Sequence, residues 1–184
     1  MALTLDELIQ PPEFDELYIL GRMIAGSPTV QCLCGDEGDC DATFAKVVHF
    51  LGMDCSCEIC GVAAVLRPAD SSEELNGSCC EIENRDGRLV IEMYVTIPEQ
   101  LRGKSPTKQT HAVWYARNVC ERMREEIAQQ CLGLTCPDEI TGNCVLSISR
   151  FDTIGPLQRG YMNPKSETEE DLLLCEITVS HGLV

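Results

Sequence analysis

An alternating strand followed by a long, one-sided helix constrains the fold of this chain most. From Arg88 to Ile97 every second side chain is apolar, so one face of the predicted strand carries Leu89, Ile91, Met93, Val95 and Ile97. Ser105 followed by Pro106 predicts a helix start, and at 100° per residue one helix face as far as about Gln130 carries Ala112, Ala116, Val119, Met123 and Ile127. The strand and the helix can bury these faces by packing on each other, which indicates an α+β domain.

Further strands and a second helix are predicted around this pair. Apolar spacing behind two prolines predicts a short helix over residues 13–25. The continuous apolar run Val62 to Leu66, stopped by Pro68, predicts a buried strand, and two more strands are expected at 143–151 and 172–179. The predicted fold is therefore an antiparallel or mixed sheet with one long helix packed on one face and a short N-terminal helix.

Turn residues and side-chain type set the remaining predictions. Asp86-Gly87 predicts a hairpin that joins residues 80–83 to residues 88–97, because glycine supplies the positive φ of a tight turn. Glycine and aspartate predict a loop over residues 32–40. Residues 43–51 could form a strand or a short helix, and their β-branched and aromatic content favours the strand. Residues 155–171 are expected to form a long polar loop or an extended hairpin tip.

The chain is long enough for one domain. We expect a single α+β domain over residues 1–184, whose core lies at 61–184. Residues 1–60, with the N-terminal helix and a cysteine-rich loop, are predicted as an appendage to that core.

Charge restricts the partners that the chain is expected to bind. Fourteen Lys and Arg residues against 30 Asp and Glu residues give a net charge of −16, which repels phosphate backbones and disfavours nucleic acids and anionic membranes. No run approaches the 18 or so apolar residues that span a bilayer, and the start of the chain lacks the pattern of a secretory signal. A cytoplasmic location is expected.

Thirteen cysteines leave two interpretations open. Without a signal peptide a disulfide framework is not expected, so the thiols are either small buried apolar groups or metal ligands. Two short-spaced groups could share one tetrahedral zinc or an iron–sulfur centre, with the candidate ligands Cys32, Cys34, Cys40, Cys55, Cys57 and Cys60. Only Cys57 and Cys60 have the CxxC spacing of a zinc knuckle, so no cofactor is expected and zinc is the alternative.

No motif for catalysis stands out, and the chain is predicted not to be an enzyme. The stretch from Ser105 to Lys108 matches S-x-x-K, but the other motifs of that serine chemistry are missing and helix capping explains the serine. The chain contains no G-x-S-x-G and no phosphate-binding glycine motif.

The single tryptophan indicates a place where something packs. Trp114 lies on the helix face opposite the apolar one, together with Arg117 and Glu121, and exposed tryptophan beside arginine is enriched at protein interfaces. These three residues are the interface candidates. The alternative is that residues 155–171 fold over Trp114.

The order of elements resembles the tail terminator or tail-completion proteins of long-tailed bacteriophages, including the minor tail proteins of Mu-like prophages. The likeness covers about residues 40–184, and it depends on the strand from Val62 to Leu66, the strand from Leu89 to Ile97, the helix with Ala112 and Ala116, and the last strand from Leu172 to Val179. The cysteine groups depart from that family.

This resemblance implies a structural protein of the virion. Proteins of this kind form a ring, often hexameric, that caps or joins the tail tube, so the expected partners are copies of the same chain and other tail or connector proteins. The implied location is the cytoplasm during assembly and the virion afterwards. Acidic side chains around the lumen of such a ring would keep DNA passage free of sticking. A small cysteine-ligated zinc module of unknown role is the alternative function.

Overall fold

The structure is a computed structural model that describes residues 14–52, 59, 61–69, 87–132, 146–151, 158–161 and 172–183. Its helices are α1 (Phe14–Ala25), α2 (Pro28–Cys34), α3 (Cys40–Val47) and α4 (Pro106–Leu132), with a short 3-10 helix at Glu99–Leu101. Its strands are β1 (Val48–Phe50), β2 (Val62–Pro68), β3 (Gly87–Thr96), β4 (Leu146–Phe151), β5 (Gln158–Tyr161) and β6 (Leu172–Leu183).

Helices and a mixed sheet confirm the predicted α+β fold class. The strand order is β1-β2-β3-β6-β4, and β5 pairs with the first residues of β6. Strand β1 runs parallel to β2, while all the other pairs are antiparallel. The predicted helix over 13–25 and the long helix that begins after Ser105 are both present.

The loop predicted over residues 32–40 was wrong for its first part. Cys32, Leu33 and Cys34 form the last turn of α2, which has Ser27 as its N-cap and Pro28 in its first turn. The Ser27 hydroxyl accepts a hydrogen bond from the Val30 N–H at 3.2 Å. Gly35, at φ 73°, ends the helix in the left-handed conformation. The glycine therefore marks the C-cap of a helix, and it does not make the preceding residues a loop.

The strand predicted over residues 43–51 was also wrong for its first part. Asp39 caps α3 by accepting a hydrogen bond from the Ala42 N–H at 2.9 Å, and the helix continues to Val47 before the short strand β1 begins. A good N-cap therefore outweighed the β-branched content of this stretch.

The partner predicted for β3 was wrong as well. From Leu89 to Val95 this strand pairs with β2 on one edge and with β6 on the other, so residues 89–91 have no edge left for residues 80–83. The first arm of that predicted hairpin lies outside the described residues. Of the two alternatives predicted for 155–171, the extended hairpin agrees with strand β5, which pairs antiparallel with the first residues of β6.

One hydrophobic core joins the helices to a single face of the sheet. The alternating residues of β3 are buried as predicted, and so is the predicted apolar face of α4. The residues predicted as an N-terminal appendage contribute to the same core through Leu17, Leu20 and Ile24, none of which is exposed. Full burial of each such side chain stabilises the fold by about 1.5 to 3 kcal/mol.

The other face of the sheet carries a charged ladder across three strands. Arg67 Nε donates to Glu92 Oε1 at 2.9 Å, and Arg67 lies 3.5 Å from a carboxylate oxygen of Glu176. Tyr94 donates its hydroxyl hydrogen to Glu92 Oε2 at 3.4 Å. Glu92 and Glu176 are register partners on β3 and β6, and Arg67 of β2 is diagonal to Glu92, so its guanidinium contacts both carboxylates and ties the three strands together. Across the described residues, no helix is both long enough and apolar enough to cross a membrane.

Half-buried His49 in β1 makes the stability of the fold depend on pH. Burial lowers the pKa of this imidazole below its ordinary value, and a hydrogen bond with the Lys46 backbone opposes the shift without cancelling it. At pH values between the pKa of His49 in the folded chain and about 6.5, its pKa in the unfolded chain, the unfolded chain binds more protons than the folded chain. The contribution to stability is therefore complete above about pH 6.5 and is lost as the pH falls through that window.

We predict that His49→Gln reduces this loss. Urea denaturation at pH 7.5 and pH 5.5 should show a smaller drop in the free energy of unfolding for the variant than for the wild type. The matched control is His111→Gln, which removes an exposed imidazole and should keep the wild-type drop. An equal drop in the wild type and in His49→Gln would contradict the assignment.

Candidate interaction surface

Helix α4 presents its outer face to solvent because its inner face is anchored at several points. Ser105 accepts a hydrogen bond from the Lys108 N–H at 3.3 Å through its hydroxyl, as predicted for a capping serine. Ala116, Met123 and Ile127 are completely buried against the sheet. The opposite side of the helix is thereby held outward along its length.

The predicted position of Trp114 on the outer face is confirmed. Its side chain is 64% exposed, which makes it one of two large hydrophobic residues that stand out in the described part of the chain. The alternative, in which residues 155–171 fold over this ring, falls on a segment of which only Gln158–Tyr161 is described, so it stays a prediction. Arg117 is exposed beside it, whereas Glu121 is only partly exposed and forms an ion pair with Arg124 at 2.5 Å.

The N-terminal part of α4 around Trp114 carries basic residues and no acidic ones, a feature that the net charge of the chain conceals. We use the name basic–aromatic face for five exposed residues along the start of α4: Lys104, Lys108, His111, Trp114 and Arg117. Residues 102–118 contain four Lys and Arg residues and no Asp or Glu. A local charge count along the chain would have found this stretch, but the total of −16 drew attention away from it.

The peptide dipoles of α4 add to this positive potential. The first turn of the helix contains Lys108 and no acidic residue, although an acidic residue there would stabilise the helix by about 0.3 to 1 kcal/mol. Cations at a helix N-terminus oppose local stability, and such departures from local rules are expected at functional positions. The face can therefore attract carboxylates or other anions.

A carboxylate at the far end of α4 fixes the helix against α2. Glu126 Oε2 accepts hydrogen bonds from the Ser27 hydroxyl and, at 3.2 Å, from the Thr29 N–H. Its Oε1 accepts from the Thr29 hydroxyl at 2.7 Å. Ser27 is completely buried, and 99 residues separate it from Glu126. This cluster is occupied in joining two helices, so it offers no free base or nucleophile.

The first group of predicted metal ligands is spread over α2 and α3. Cys32 is exposed, whereas Cys34 and Cys40 are half-buried, and all three are reduced cysteines. Burial raises the pKa of Cys40 above its ordinary value. Within the described residues no three His, Cys, Asp or Glu side chains are placed to hold a metal ion. Cys55, Cys57 and Cys60 lie outside the described residues.

Gly61, which follows Cys60 in the sequence, is packed tightly against α2. It has a φ of 82°, and a Cβ added to it would lie 2.2 Å from the carbonyl oxygen of Leu33. The chain directly after the second cysteine group therefore contacts the helix between Cys32 and Cys34. No other residue type fits this approach without movement of the backbone.

Two further thiols lie in the core. For them the structure agrees with the interpretation of cysteine as a small buried apolar residue. Cys120 of α4 and Cys175 of β6 are completely buried, and both are free. The hydrogen bond with Cys175, together with burial, raises the pKa of Cys120 far above its ordinary value. A thiol in this state is not a nucleophile at neutral pH.

We predict that Glu126→Ala lowers the free energy of unfolding by about 2 kcal/mol, because it removes a charged acceptor from three donors. Urea denaturation followed by circular dichroism measures the change. The matched control is its neighbour Glu125→Ala, which alters an exposed carboxylate and should change stability by less than about 0.5 kcal/mol. Equal effects of the two substitutions would contradict the anchoring role.

Comparison with known proteins adds no identity to this geometry. No protein-family model matches the chain, and no curated protein matches it. Function must therefore be inferred from the surfaces themselves.

Proposed function

We propose that the protein is a structural assembly protein of a phage or prophage tail, which caps or joins the tail tube as a ring. The observation that carries the proposal is the exposure of Trp114 at the centre of an outward helix face. In this proposal the chain works by contact with copies of itself and with other tail or connector proteins. It performs no chemical reaction.

The exposure of Trp114 is unfavourable for an isolated chain. Covering a tryptophan side chain buries about 150 to 250 Å². Each Å² of apolar surface removed from water stabilises the complex by roughly 25 cal/mol. Tryptophan and arginine are the residue types that most often dominate protein interfaces, and they do so near the interface centre. Trp114 beside Arg117 has this composition, which supports a contact surface over a solvated helix face.

The acidic charge supports the same proposal in a different way. With 30 Asp and Glu residues, most of the surface repels DNA, as the lining of a passage for DNA should. The basic–aromatic face is the exception to this character. In a ring it belongs at a contact between subunits and away from the lumen, and a ring with a basic lumen would contradict the proposal.

Solution mass tests the assembly function directly. We predict that light scattering of the wild type over a range of concentrations shows a discrete closed oligomer, and that Trp114→Ala shifts the mass toward the monomer. Leu51→Ala is the matched control, because Leu51 is the other exposed large hydrophobic residue at 56%. A wild type that stays monomeric at every concentration, alone and with a preformed tail tube, would overturn the proposal.

A cysteine-ligated zinc module is the second candidate function. The contact between Gly61 and the Leu33 carbonyl favours it, because that contact brings the chain after the second cysteine group to the helix that carries the first. Thiolates from two short-spaced groups are the usual ligands of structural zinc.

Elemental analysis of the purified protein tests this candidate. If it holds, we predict about one zinc per chain in the wild type and a loss of that zinc in Cys32→Ser/Cys34→Ser. Cys120→Ala is the control, because its thiol lies in the core between α4 and β6. Wild-type protein without bound metal would exclude the zinc module and leave the assembly proposal untouched.

A further inference from the structure

We propose that the basic–aromatic face of α4 is the docking site for the acidic segment Glu167–Asp171 of a second copy of this chain, so that copies join head to tail. The inference rests on the proposed assembly function, and it names the two surfaces that meet. It follows from the distribution of charge and from the exposure of one helix face.

The first step of the argument is charge. Four of the 14 Lys and Arg residues lie in residues 102–118, which leaves 10 against all 30 Asp and Glu residues in the rest of the chain. Two copies that each carry −16 repel each other unless the contact pairs unlike charges. The start of α4 is a long stretch of the described chain whose Lys and Arg residues are not accompanied by Asp or Glu. We therefore expect a stable self-contact to use it.

The second step is availability. Lys104, Lys108 and Arg117 are exposed, and none of them forms an ion pair with another described residue. By contrast Arg22, Lys46 and Arg67 are already paired with Asp41, Asp36 and Glu92. Within the described part of the chain these cations have no carboxylate partner, so we expect them to bind carboxylates of another molecule, with Trp114 supplying apolar area to the contact.

The third step identifies the matching segment. Four of the five residues from Glu167 to Asp171 are acidic, and no Lys or Arg lies among them. This segment directly precedes Leu172, where β6 begins. Its charge is opposite to that of the basic–aromatic face. Lys108 and Arg117 are nine positions apart on the helix, which is about 13 Å along the axis and about half a turn around it, so they lie on opposite flanks of the helix and Trp114 lies on the arc between them.

The fourth step sets the symmetry of the contact. A two-fold contact between two copies of the basic–aromatic face would place like charges together. Pairing that face with a different, acidic surface avoids this repulsion. The pairing can be reciprocal, as in a two-fold dimer, or head to tail, as in a ring or a filament. The charge distribution thus allows the head-to-tail association that a ring requires, and the solution mass separates a ring from a dimer.

Nucleic acid is the competing occupant of a face that combines basic residues with tryptophan. Single-stranded binding sites stack bases on aromatic rings within a basic groove. The 30 acidic residues of the chain disfavour that occupant, because they repel a phosphate backbone that extends beyond the face. We therefore argue for the acidic segment and use an oligonucleotide as the opposing probe.

Charge exchange between two variants provides the test. The face variant carries Lys108→Glu and Arg117→Glu, and the segment variant carries Glu167→Lys, Glu169→Lys and Glu170→Lys. Each variant alone opposes like charges across the contact and should be monomeric by light scattering at low salt. Mixed in equal amounts, the two should associate again, because each variant then complements the other. Circular dichroism of each variant confirms that it is folded.

Single substitutions and salt provide the quantitative readout. Arg117→Glu should weaken self-association by about tenfold or more, whereas Arg88→Glu, an equal charge change at another exposed arginine, should leave it unchanged. Raising the salt from about 0.05 to about 0.5 M should weaken the wild-type association and the mixed association alike.

The emission of Trp114 reports on this face alone, because the chain contains one tryptophan. The segment variant keeps an unchanged basic–aromatic face. A synthetic peptide covering residues 162–172 should shift its tryptophan emission, and a thymidine oligonucleotide of equal charge should not. A response to the oligonucleotide in place of the peptide would overturn the inference.

The outcomes separate this inference from the proposed function. If the wild type forms oligomers and the face and segment variants keep them, the inference is overturned and the assembly function stands. If the folded variants are monomeric alone and remain so when mixed, the named pairing is overturned. A wild type that is monomeric under all conditions contradicts the assembly function itself.

Discussion

The fold depends on one carboxylate that joins two helices from opposite ends of the sequence. Glu126 satisfies the hydroxyl groups of Ser27 and Thr29 and a backbone N–H at the start of α2. A buried hydroxyl without an acceptor costs about 1 to 3 kcal/mol, so the serine that caps α2 also requires α4 to be in place. Together with the burial of Ala116, Met123 and Ile127, these bonds hold α4 with its apolar side on the sheet and its basic–aromatic face outward.

That orientation gives the protein two surfaces of opposite character. The start of α4 concentrates cations around an exposed tryptophan, at the end of the helix where peptide dipoles are already positive. The rest of the chain carries all 30 acidic residues. A molecule with one basic surface and a large acidic remainder is suited to directional association, because copies attract in one relative orientation and repel in the others.

Local patterns predicted the parts of this structure that depend on local physics. The alternation from Leu89 to Ile97 and the helical spacing from Ala112 to Ile127 identified the buried faces of β3 and α4. The exposure of Trp114 followed from the same spacing. Predictions failed where short segments had mixed signals: the N-cap at Asp39 made residues 40–47 helical despite their β-branched content, and the glycines at 35 and 38 mark a turn after a helix.

The sequence by itself determined which side of each long element is buried, because that information repeats every two or 3.6 residues along the chain. Only the tertiary structure decided which elements are neighbours. The pairing of β3 with β6 in place of residues 80–83, the parallel contact of β1 with β2, and the bond between Glu126 and Ser27 all join residues that are distant in sequence. Hydrogen-bonding strand edges and carboxylates accept many partners equally well. The choice among them is made when the whole core packs, and no local pattern records it.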